Sequence, residues 1–534
     1  MNFITIYYEL KIIIMREFLL AIFLFFSLTI FSQSNFQKTY FGINSIVSNS
    51  MTIVGNDVLI LGKDQSFPSK IVLININMNG QVQSNRNYSF NSNLDNGYIV
   101  SSGTNRYLFG SNNAGSLLSN IFMAKIQATG QIIWSKEIVH TDSIGFKQAV
   151  AINNSAIIVG GNILTNTKQN IFIAKTDSSG NILWSKSIGT TNNNEELHSI
   201  EPTSDGGFLV SGTSDLNDIN GDIFVMKIDS SGQHLWNRTF DFVINSFSNN
   251  IANHGVESSN GQIYVCGTSK TYQVSPNDEV WTPFVLKLSS NGSFIYLKSY
   301  EINSGNNGAT KIKERNSNEF VFAGYTGPYT LLTSISGSGN SNWSYLYTNG
   351  FITKSYGIDV NVVSNGYLMS STRIGVQDSL SLIRTAFSGN SGCFEQIPSS
   401  QAFANSRTPT IDSLLLNTLN ITTSNIPVVI TDSTITIDTD IQCESLTTVK
   451  ENIESSEVVL YPNPASEYIT ISMPITHDQV KGEFILINSI GKVILNQAID
   501  GFYLKIELKN IPKGMYFYRL INNGSIFSGK VVIQ

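Results

Sequence analysis

The chain has 534 residues, which is more than one ordinary hydrophobic core accommodates and predicts two or more domains. Charged residues make up 13% of the sequence, about half of the roughly 25% usual in soluble domains, while Asn, Ser, Thr and Gly supply the polarity. This composition favours short strands that are joined by many turns. The net charge of −6, without a basic run, argues against nucleic acids and anionic lipids as partners.

Residues 1–32 have the pattern of a secretory signal peptide, with Met15 as a candidate true start. Lys11 and Arg16 precede an apolar run at 18–31, and a short polar segment suited to cleavage follows. The run is too short to span a bilayer comfortably, so an N-terminal membrane anchor is the weaker alternative. We therefore expect an exported chain whose mature form has no membrane span.

A repeat of about 50 residues organises residues 33–396. Each strong copy has a short apolar strand, a turn that ends in glycine, and a tryptophan four residues after that glycine; weaker copies keep the glycine. The repeated structural residues are Gly80, Gly130, Trp134, Gly180, Trp184, Gly232, Trp236, Gly292, Gly339, Trp343 and Gly389. Ser84, Tyr296 and Cys393 occupy the tryptophan position in weaker copies. Four short strands in a unit of this length are typical of a propeller blade.

Seven such units predict an all-β fold with a seven-bladed β-propeller. Residues 37–42 resemble the end of a repeat, at 184–189, although no full repeat precedes them. Such a displaced strand would complete the last blade and remove the open sheet edges. An open solenoid, which would need capping repeats, is the alternative.

Residues 397–450 are rich in Thr, Ser, Asn and Ile and predict a β-rich connector after the propeller. In an oxidising compartment Cys393 and Cys443 could form a disulfide and fold this connector back on the last blade. The third cysteine, Cys266, lies in an apolar run and is expected to be a small buried side chain.

A different pattern begins at residue 456 and continues to 534, and its alternating apolar positions predict a small β-sandwich. Its four ordered motifs are Tyr-Pro-Asn-Pro-Ala, Ile-Gly-Lys-Val-Ile, Ile-Pro-Lys-Gly-Met-Tyr and a basic and apolar last strand. Their order and spacing resemble the type A C-terminal sorting domain of the type IX secretion system of Bacteroidetes. The motif residues that carry this resemblance are Tyr461, Pro462, Asn463, Pro464, Gly491, Lys492, Gly514, Tyr516 and Lys530.

The resemblance implies that the type IX secretion machinery is a partner and reads this domain during passage from the periplasm across the outer membrane. It also implies that the protein is released or attached to surface lipopolysaccharide, so the expected location is secreted or on the outer cell surface. An ordinary terminal β-sandwich is the alternative. The body resembles the propeller-type repeats found in cargo of this system, which names no activity.

The repeats contain no recognisable catalytic motif. Asp177 and Asp229 lie three residues before the turn glycine. The corresponding Asp lies two residues before the glycine in the Asp-box of sialidases and four residues before it in quinoprotein dehydrogenases. No Gly-x-Ser-x-Gly motif marks a nucleophile, and no two histidines have a metal-pair spacing. The histidines are His140, His198, His234, His254 and His477.

The segment from Asp215 to Asp222 resembles a calcium loop in composition but lacks the register and the downstream Glu, so no cofactor is predicted and calcium is the alternative. Trp281, Tyr325, Tyr329 and Tyr272 could stack on sugars, although turn and core packing is the simpler interpretation. We therefore predict a non-enzymatic surface propeller that binds a glycan or a protein. A glycoside hydrolase-like enzyme that acts on extracellular polysaccharide is the alternative.

Overall fold

A computed structural model describes residues 35–42, 44–66, 68–90, 93–113, 119–165, 168–215, 221–242, 248–272, 279–302, 306–347, 354–375, 377–393, 395–398, 403–445, 459–472, 481–488, 492–500, 503–522 and 525–534. The predicted signal peptide lies outside these ranges. Nowhere in them does a helix have the length and apolar character that a bilayer crossing needs. The chain forms two compact units that divide between Thr447 and Thr448.

The N-terminal unit is a ring of seven antiparallel sheets, which confirms the predicted seven-bladed β-propeller. The chain enters it through β1 (Asn35–Phe41), which belongs to the last blade. Blades 1 to 3 are β2 (Ile46–Val54), β3 (Asp57–Asp64), β4 (Lys70–Asn77) and β5 (Val82–Ser89); β6 (Asn93–Ser102), β7 (Asn105–Asn113), β8 (Ser119–Ile126) and β9 (Ile132–Val139); and β10 (Ser143–Ile152), β11 (Ala156–Thr165), β12 (Lys168–Asp177) and β13 (Ile182–Gly189).

The next blades repeat the same arrangement, in which the first strand lies nearest the ring axis. Blades 4 to 6 are β14 (Glu195–Pro202), β15 (Phe208–Ser214), β16 (Asp222–Ile228) and β17 (His234–Asp241); β18 (Ser248–Glu257), β19 (Ile263–Tyr272), β20 (Glu279–Leu288) and β21 (Phe294–Glu301); and β22 (Asn307–Asn316), β23 (Glu319–Thr326), β24 (Tyr329–Ser336) and β25 (Ser341–Tyr347). The third strand is mostly apolar because it lies in the middle of its sheet between two neighbouring blades; β16, for example, is buried along its whole length.

The seventh blade closes the ring. It consists of β26 (Lys354–Val363), β27 (Gly366–Ile374) and β28 (Ser379–Ala386), and β1 pairs with β28 as the fourth strand. The innermost strands β26 and β2 contact each other, and the backbone N–H of Ser48 donates to Thr372 Oγ1 at 2.9 Å across the junction. The open solenoid is therefore excluded.

The repeated glycine and tryptophan meet between neighbouring blades. Gly180 has a φ of +76°, and a Cβ at this position would lie 2.6 Å from Cη2 of Trp134 in the preceding blade. The turn glycine is thus required both by its backbone conformation and by the ring that covers it. The same contact joins Trp184 to Gly232, Trp236 to Gly292, Tyr296 to Gly339 and Trp343 to Gly389.

At two of the seven turn glycines the covering residue is of a different kind. In the last blade the fourth strand comes from the N-terminal end of the ring, so Phe36 of β1 takes the aromatic position and covers Gly80, while Cys393 has another role. Ser84 is too small to cover the next glycine, Gly130, which instead lies against the side chains of Arg86 and Tyr88.

Residues 395–445 form a belt around the propeller. Seven short strands each add a fifth, outermost strand to one blade, in the order 6, 5, 4, 3, 2, 1 and 7. They are β29 (Glu395–Gln396), β30 (Phe403–Arg407), β31 (Thr410–Asp412), β32 (Asn417–Asn420), β33 (Ser424–Pro427), β34 (Thr431–Ser433) and β35 (Asp438–Ser445). A disulfide joins Cys393 to Cys443, whose Cα atoms are 5.6 Å apart. The segment predicted as a connector therefore reaches the last blade only after one full circuit of the ring.

The C-terminal unit is a small β-sandwich, as predicted. One sheet has the order β36 (Val459–Tyr461), β37 (Tyr468–Ser472) and β40 (Tyr503–Glu507), and the other has β39 (Val493–Asp500), β38 (Lys481–Asn488), β41 (Gly514–Asn522) and β42 (Ser525–Ile533). Ile469 and Ile471 of the first sheet share a buried core with Phe484, Leu520 and Val531 of the second.

Candidate functional site

The innermost strands carry a β-bulge at an equivalent position in every blade. The pairing with the second strand passes over Lys147 in β10, His198 in β14, Asn253 in β18 and Thr310 in β22. The same irregularity occurs in β2, β6 and β26. A bulge turns its extra residue away from the regular ladder. The four side chains named here consequently line one cavity near the axis, although they come from four different blades.

Two adjoining cavities share His198 and Ile251. The first, which we call the aromatic cavity, has a volume of about 390 Å³, and Trp281 and Tyr325 join the four bulge residues in lining it. The second, which we call the acidic cavity, has a volume of about 280 Å³ and contains the carboxylates of Glu196 and Asp215. His198 therefore stands at the junction of two chemically different spaces.

Lys147, Glu196 and His198 form a charged group at this junction. Lys147 Nζ lies 2.6 Å from Glu196 Oε1, and His198 Nε2 lies 3.6 Å from Glu196 Oε2. His198 and then Lys147 lower the pKa of Glu196 to about 2, so the carboxylate is ionised at neutral pH. Within the described part of the chain His198 Nε2 is buried without a hydrogen-bond partner. The nitrogen without a hydrogen bond is therefore the one that faces the Glu196 carboxylate across 3.6 Å.

The acidic cavity presents mainly hydrogen-bonding groups. Asn194 orients Asp215, because its backbone N–H and its Nδ2 each donate to one carboxylate oxygen at 2.6 Å. Thr213 Oγ1 and Asn249 Oδ1 are buried and have no hydrogen-bond partner among the described residues. Buried polar atoms without partners are uncommon in native proteins and often mark a place where a ligand completes the bonding.

The aromatic cavity has an apolar wall and fixed amide and hydroxyl groups. Trp281 is partly exposed, and the ammonium of Lys270 lies 5.4 Å from its ring centroid. Asn253 Nδ2 donates to the carbonyl oxygen of Ala309 at 2.8 Å, which fixes the amide. Two of the four aromatics singled out in the sequence, Trp281 and Tyr325, thus share this cavity. Tyr329 begins β24, and the side chain of Tyr272 lies outside the described residues.

Four residues that directly follow bulges, together with Glu201, form a buried polar and charged network. His254 Nε2 lies 2.9 Å from Glu201 Oε1, and Lys311 Nζ lies 3.1 Å from Asp359 Oδ1. Gln148 Nε2 donates to Glu201 Oε1 at 3.1 Å. Burial lowers the pKa of His254 to about 4, and although burial opposes it, Asp359 raises the pKa of Lys311. Charged pairs thereby join blade 4 to blade 5 and blade 6 to blade 7, and the neutral amide of Gln148 joins blade 3 to the first pair.

Other residues singled out in the sequence lie away from the cavities or outside the described ranges. Cys266 is a buried free thiol in β19, and burial raises its pKa. Of the calcium-like loop, residues 216–220 are outside the described ranges, and Asp215 accepts the two bonds from Asn194. Across the described ranges no three His, Cys, Asp or Glu side chains are grouped so that they could hold a metal ion.

The sorting-motif residues lie in the C-terminal unit. Asn463 Nδ2 donates to the carbonyl oxygen of Lys530 at 2.9 Å, and its Oδ1 accepts the N–H of Val532 at 2.9 Å. The Tyr-Pro-Asn-Pro segment is thereby joined to the last strand. Tyr516 Oη donates to the carbonyl oxygen of Pro512 at 2.7 Å, whereas Gly491 lies outside the described residues.

The family comparison agrees with this geometry. Residues 459–534 match the secretion system C-terminal sorting domain family. The chain carries a C-terminal sorting domain of the type IX secretion system. This sorting-domain protein is therefore exported to the cell surface or secreted, and the secretion machinery is one of its partners. No curated protein shows significant sequence similarity to it.

Several solved structures are similar to the sorting-domain protein. The polysaccharide lyase Uly1 has a TM-score of 0.43 and 9% identity and covers 64% of this chain and 90% of the lyase. A puromycin hydrolase mutant complexed with PGG has a TM-score of 0.43 and 10% identity, covering 67% of this chain and 54% of the hydrolase. A GH43_12 protein retrieved from a capybara gut metagenome has a TM-score of 0.31 and 10% identity, with 94% and 95% covered.

These comparisons contradict one sequence-based prediction. The protein was expected not to be an enzyme, yet the similar structures are described as a lyase, a hydrolase and a glycoside hydrolase family member. The prediction rested on the absence of catalytic motifs at short sequence spacings, whereas the residues around the two cavities come from different blades. With TM-scores below 0.5 the similarity identifies neither a substrate nor a catalytic residue.

Proposed function

We propose that the propeller of this exported protein is an enzyme that cleaves an extracellular polysaccharide at the junction of its two axial cavities. The observation that carries the proposal is the placement of His198. It contacts both cavities, and its Nε2 faces the ionised Glu196 across 3.6 Å without a hydrogen bond.

The groups at this junction suit acid–base chemistry on a sugar. Cleavage of a glycosidic bond requires proton transfer to the leaving oxygen, and an imidazole can transfer a proton near neutral pH. Glu196 stays ionised and can hold the imidazole in one orientation, in the way a carboxylate supports a catalytic histidine. Trp281 and Tyr325 supply aromatic surface, and pockets of this kind combine apolar walls with a few polar groups that orient the ligand.

The test is a turnover assay on the purified full chain. We would incubate it with xylan, galactan, mannan, laminarin, polygalacturonate and alginate and measure reducing ends and unsaturated products. His198→Gln should reduce kcat by about 100-fold or more while leaving the melting temperature unchanged.

The matched control is His140→Gln. His140 lies between β9 and β10, lines neither cavity, and accepts a hydrogen bond at Nδ1 from the backbone N–H of Asp142 at 2.9 Å. This variant should keep full activity. Cleavage of none of these polysaccharides, or full activity in His198→Gln, would refute the proposal.

A further inference from the structure

We infer that the substrate is a neutral polysaccharide that occupies both cavities at once, so that the chain is cut internally at His198. This inference rests on the proposed function and adds to it the class of substrate and the mode of cleavage.

The volumes of the cavities point to a ligand that extends through both. About 390 Å³ and 280 Å³ lie at or below the lower end of the roughly 300–1,000 Å³ that small-molecule sites have. Each cavity therefore suits a short piece of a sugar chain. Because His198 and Ile251 line both cavities, a chain that fills the two spaces must pass over His198.

The charges indicate a neutral sugar on the acidic side. Glu196 and Asp215 both line that cavity, and Glu196 is ionised at neutral pH. A uronate or sulfate group there would face like charge, which disfavours binding. Lys147, a cation that lines the aromatic cavity, is already paired with Glu196 at 2.6 Å. The unpartnered atoms Thr213 Oγ1 and Asn249 Oδ1 instead suit sugar hydroxyls, which both donate and accept hydrogen bonds.

The two ends of the ligand would be held by different forces. Trp281 and Tyr325 provide flat apolar surface for the face of a sugar ring in the aromatic cavity. Asp215, which Asn194 holds in place, provides directional hydrogen bonds in the acidic cavity. Substitutions on the two sides should consequently weaken binding of opposite ends of the same chain.

The reaction is hydrolysis. Water adds its hydroxyl group to the anomeric carbon, and the bond from that carbon to the leaving sugar oxygen breaks. The Glu196–His198 pair, carrying one proton, takes a proton from the water and gives one to the leaving oxygen. The pair ends with the proton that it had at the start, so no further reactant is needed.

The experiment uses neutral and acidic polymers side by side, together with end-labelled oligosaccharides of the polymer that is cleaved. The full chain should hydrolyse galactan or mannan with at least a 10-fold higher kcat/KM than polygalacturonate or alginate. Early products should be oligosaccharides of several lengths. Trp281→Ala and Asp215→Asn should each raise KM and should shift the cleavage position in opposite directions along the labelled chain.

Two results would overturn this inference and leave the proposed function standing. They are a preference for the uronate polymers and the release of single sugars from one chain end only. Turnover of no polymer would remove both the inference and the proposed function. Shifts of the cleavage position in the same direction in the two variants would also overturn the two-cavity arrangement.

A second observation, independent of the cavities, concerns the belt. We propose that the disulfide between Cys393 and Cys443 fastens the belt around the propeller only after the chain has left the cytoplasm. Before that, the thiols are reduced and the belt is open.

The shortest belt strands are held mainly by backbone pairing, whereas side chains between them, such as Leu414, pack against the blades. β31, β32 and β34 have only three or four residues each, and most of their side chains are exposed. Each pairs with one strand, and its outer edge has no further strand in the sheet. The disulfide closes the 50-residue separation between the belt's two ends, so the circuit becomes covalent. Joining the ends of a long loop greatly restricts its open conformations.

The chemistry is thiol–disulfide exchange. The two thiols lose two electrons and two protons and form one S–S bond, while a disulfide of an exchange partner in the oxidising compartment is reduced to two thiols. Disulfides of this kind form in the periplasm and beyond and are rare in the cytosol. The order of events agrees with the export of the chain.

Hydrogen exchange of the full chain tests this role. In Cys443→Ser, and in wild-type protein treated with a reductant, the amides of β31 to β34 should exchange at least 10-fold faster. The third strands of the blades should stay protected, which shows that the propeller itself is folded. Cys266→Ser is the control and should leave the belt unchanged. Equal protection of the belt in the oxidised and reduced protein would overturn the proposal.

Discussion

We call the turn glycines and the fourth strands that cover them the rim of the propeller, and the bulged first strands its axis. The repeat has opposite consequences for the side chains of these two regions. At the rim both the backbone and the side chains repeat, and Gly180 under Trp134 has the same arrangement as Gly232 under Trp184. At the axis the bulge repeats, but the side chain on it changes from blade to blade. The difference shows that repeated side chains join neighbouring blades, whereas a repeated backbone with varied side chains brings different chemical groups to one place.

The largest stability effect should come from the rim. Gly180→Ala must adopt a φ of +76° and place its Cβ 2.6 Å from the ring of Trp134. We expect it to lower the free energy of unfolding by about 2–5 kcal/mol, the sum of a left-handed backbone and an overpacked contact. Chemical denaturation would measure the loss.

Gly206→Ala is the matched control for this change. Gly206 has a φ of +82°, but within the described ranges nothing lies within 4 Å of a Cβ placed there. Only the cost of the left-handed backbone conformation remains, so the free energy of unfolding should fall by about 1–2 kcal/mol. Equal losses in the two variants would show that the contact with tryptophan does not stabilise the rim.

The next largest effect should come from the axis and should depend on pH. The pKa of His254 is about 4 in the folded protein, below the usual 6.5, so the unfolded chain binds a proton there that the folded chain rejects between these values. The free energy of unfolding should therefore be fully retained above pH 6.5 and should fall as the pH drops towards 4. The loss is at most about 3 kcal/mol.

Urea denaturation at several pH values would test this dependence. His254→Gln removes the titrating group but can still donate a hydrogen bond to Glu201, so its stability should change less between pH 6.5 and 4 than that of the wild type. His140→Gln should retain the wild-type slope. If His254→Gln has the wild-type slope as well, the axial network is not the source of the acid sensitivity.

The sequence predicted the rim well because the rim is built from local patterns. The spacing of Gly180 and Trp184 lies within one hairpin, so it is visible in any window of the sequence. The displaced strand at 37–42 was recognisable in the same way, although the aromatic residue that covers Gly80 is Phe36, one residue before it. The sorting domain was recognisable for the same reason, since its motifs have a fixed order at the end of the chain.

The belt and the axial cavities could not be predicted in this way. β34 pairs with β5 across more than three hundred residues and has only three residues of its own, too few to show a period. The bulge that recurs in every blade brings together one residue from each of four neighbouring blades: Lys147, His198, Asn253 and Thr310. No short motif contains two of them. An alignment of the repeats on their first strands could have identified these residues, because they occupy the position at which the residue type varies most.

A smaller effect should distinguish used from unused hydroxyl groups at the rim. Tyr300 is buried, and its Oη donates to the carbonyl oxygen of Gly339 at 2.9 Å. Tyr300→Phe should lower the free energy of unfolding by about 1–2 kcal/mol because it leaves that carbonyl without this donor. Thermal or chemical denaturation would measure it.

Tyr296→Phe provides the comparison, because Tyr296 lies on the same strand and its Oη is buried without a hydrogen-bond partner among the described residues. Removing this hydroxyl should be neutral or slightly stabilising. A larger loss in Tyr296→Phe than in Tyr300→Phe would contradict the assignment of the hydrogen bond at this rim contact.

The smallest effect should come from apolar side chains that face solvent at the rim. Leu183 is 56% exposed although it lies next to Trp184, because successive side chains of a strand point to opposite faces. Leu183→Ser should therefore change the free energy of unfolding by less than about 0.5 kcal/mol. Ile133 holds the same position one blade earlier and is 52% exposed, so Ile133→Ser should behave alike. A loss above about 1 kcal/mol in both variants would mean that the rim is covered in solution, and sedimentation of the two variants would then show a changed oligomeric state.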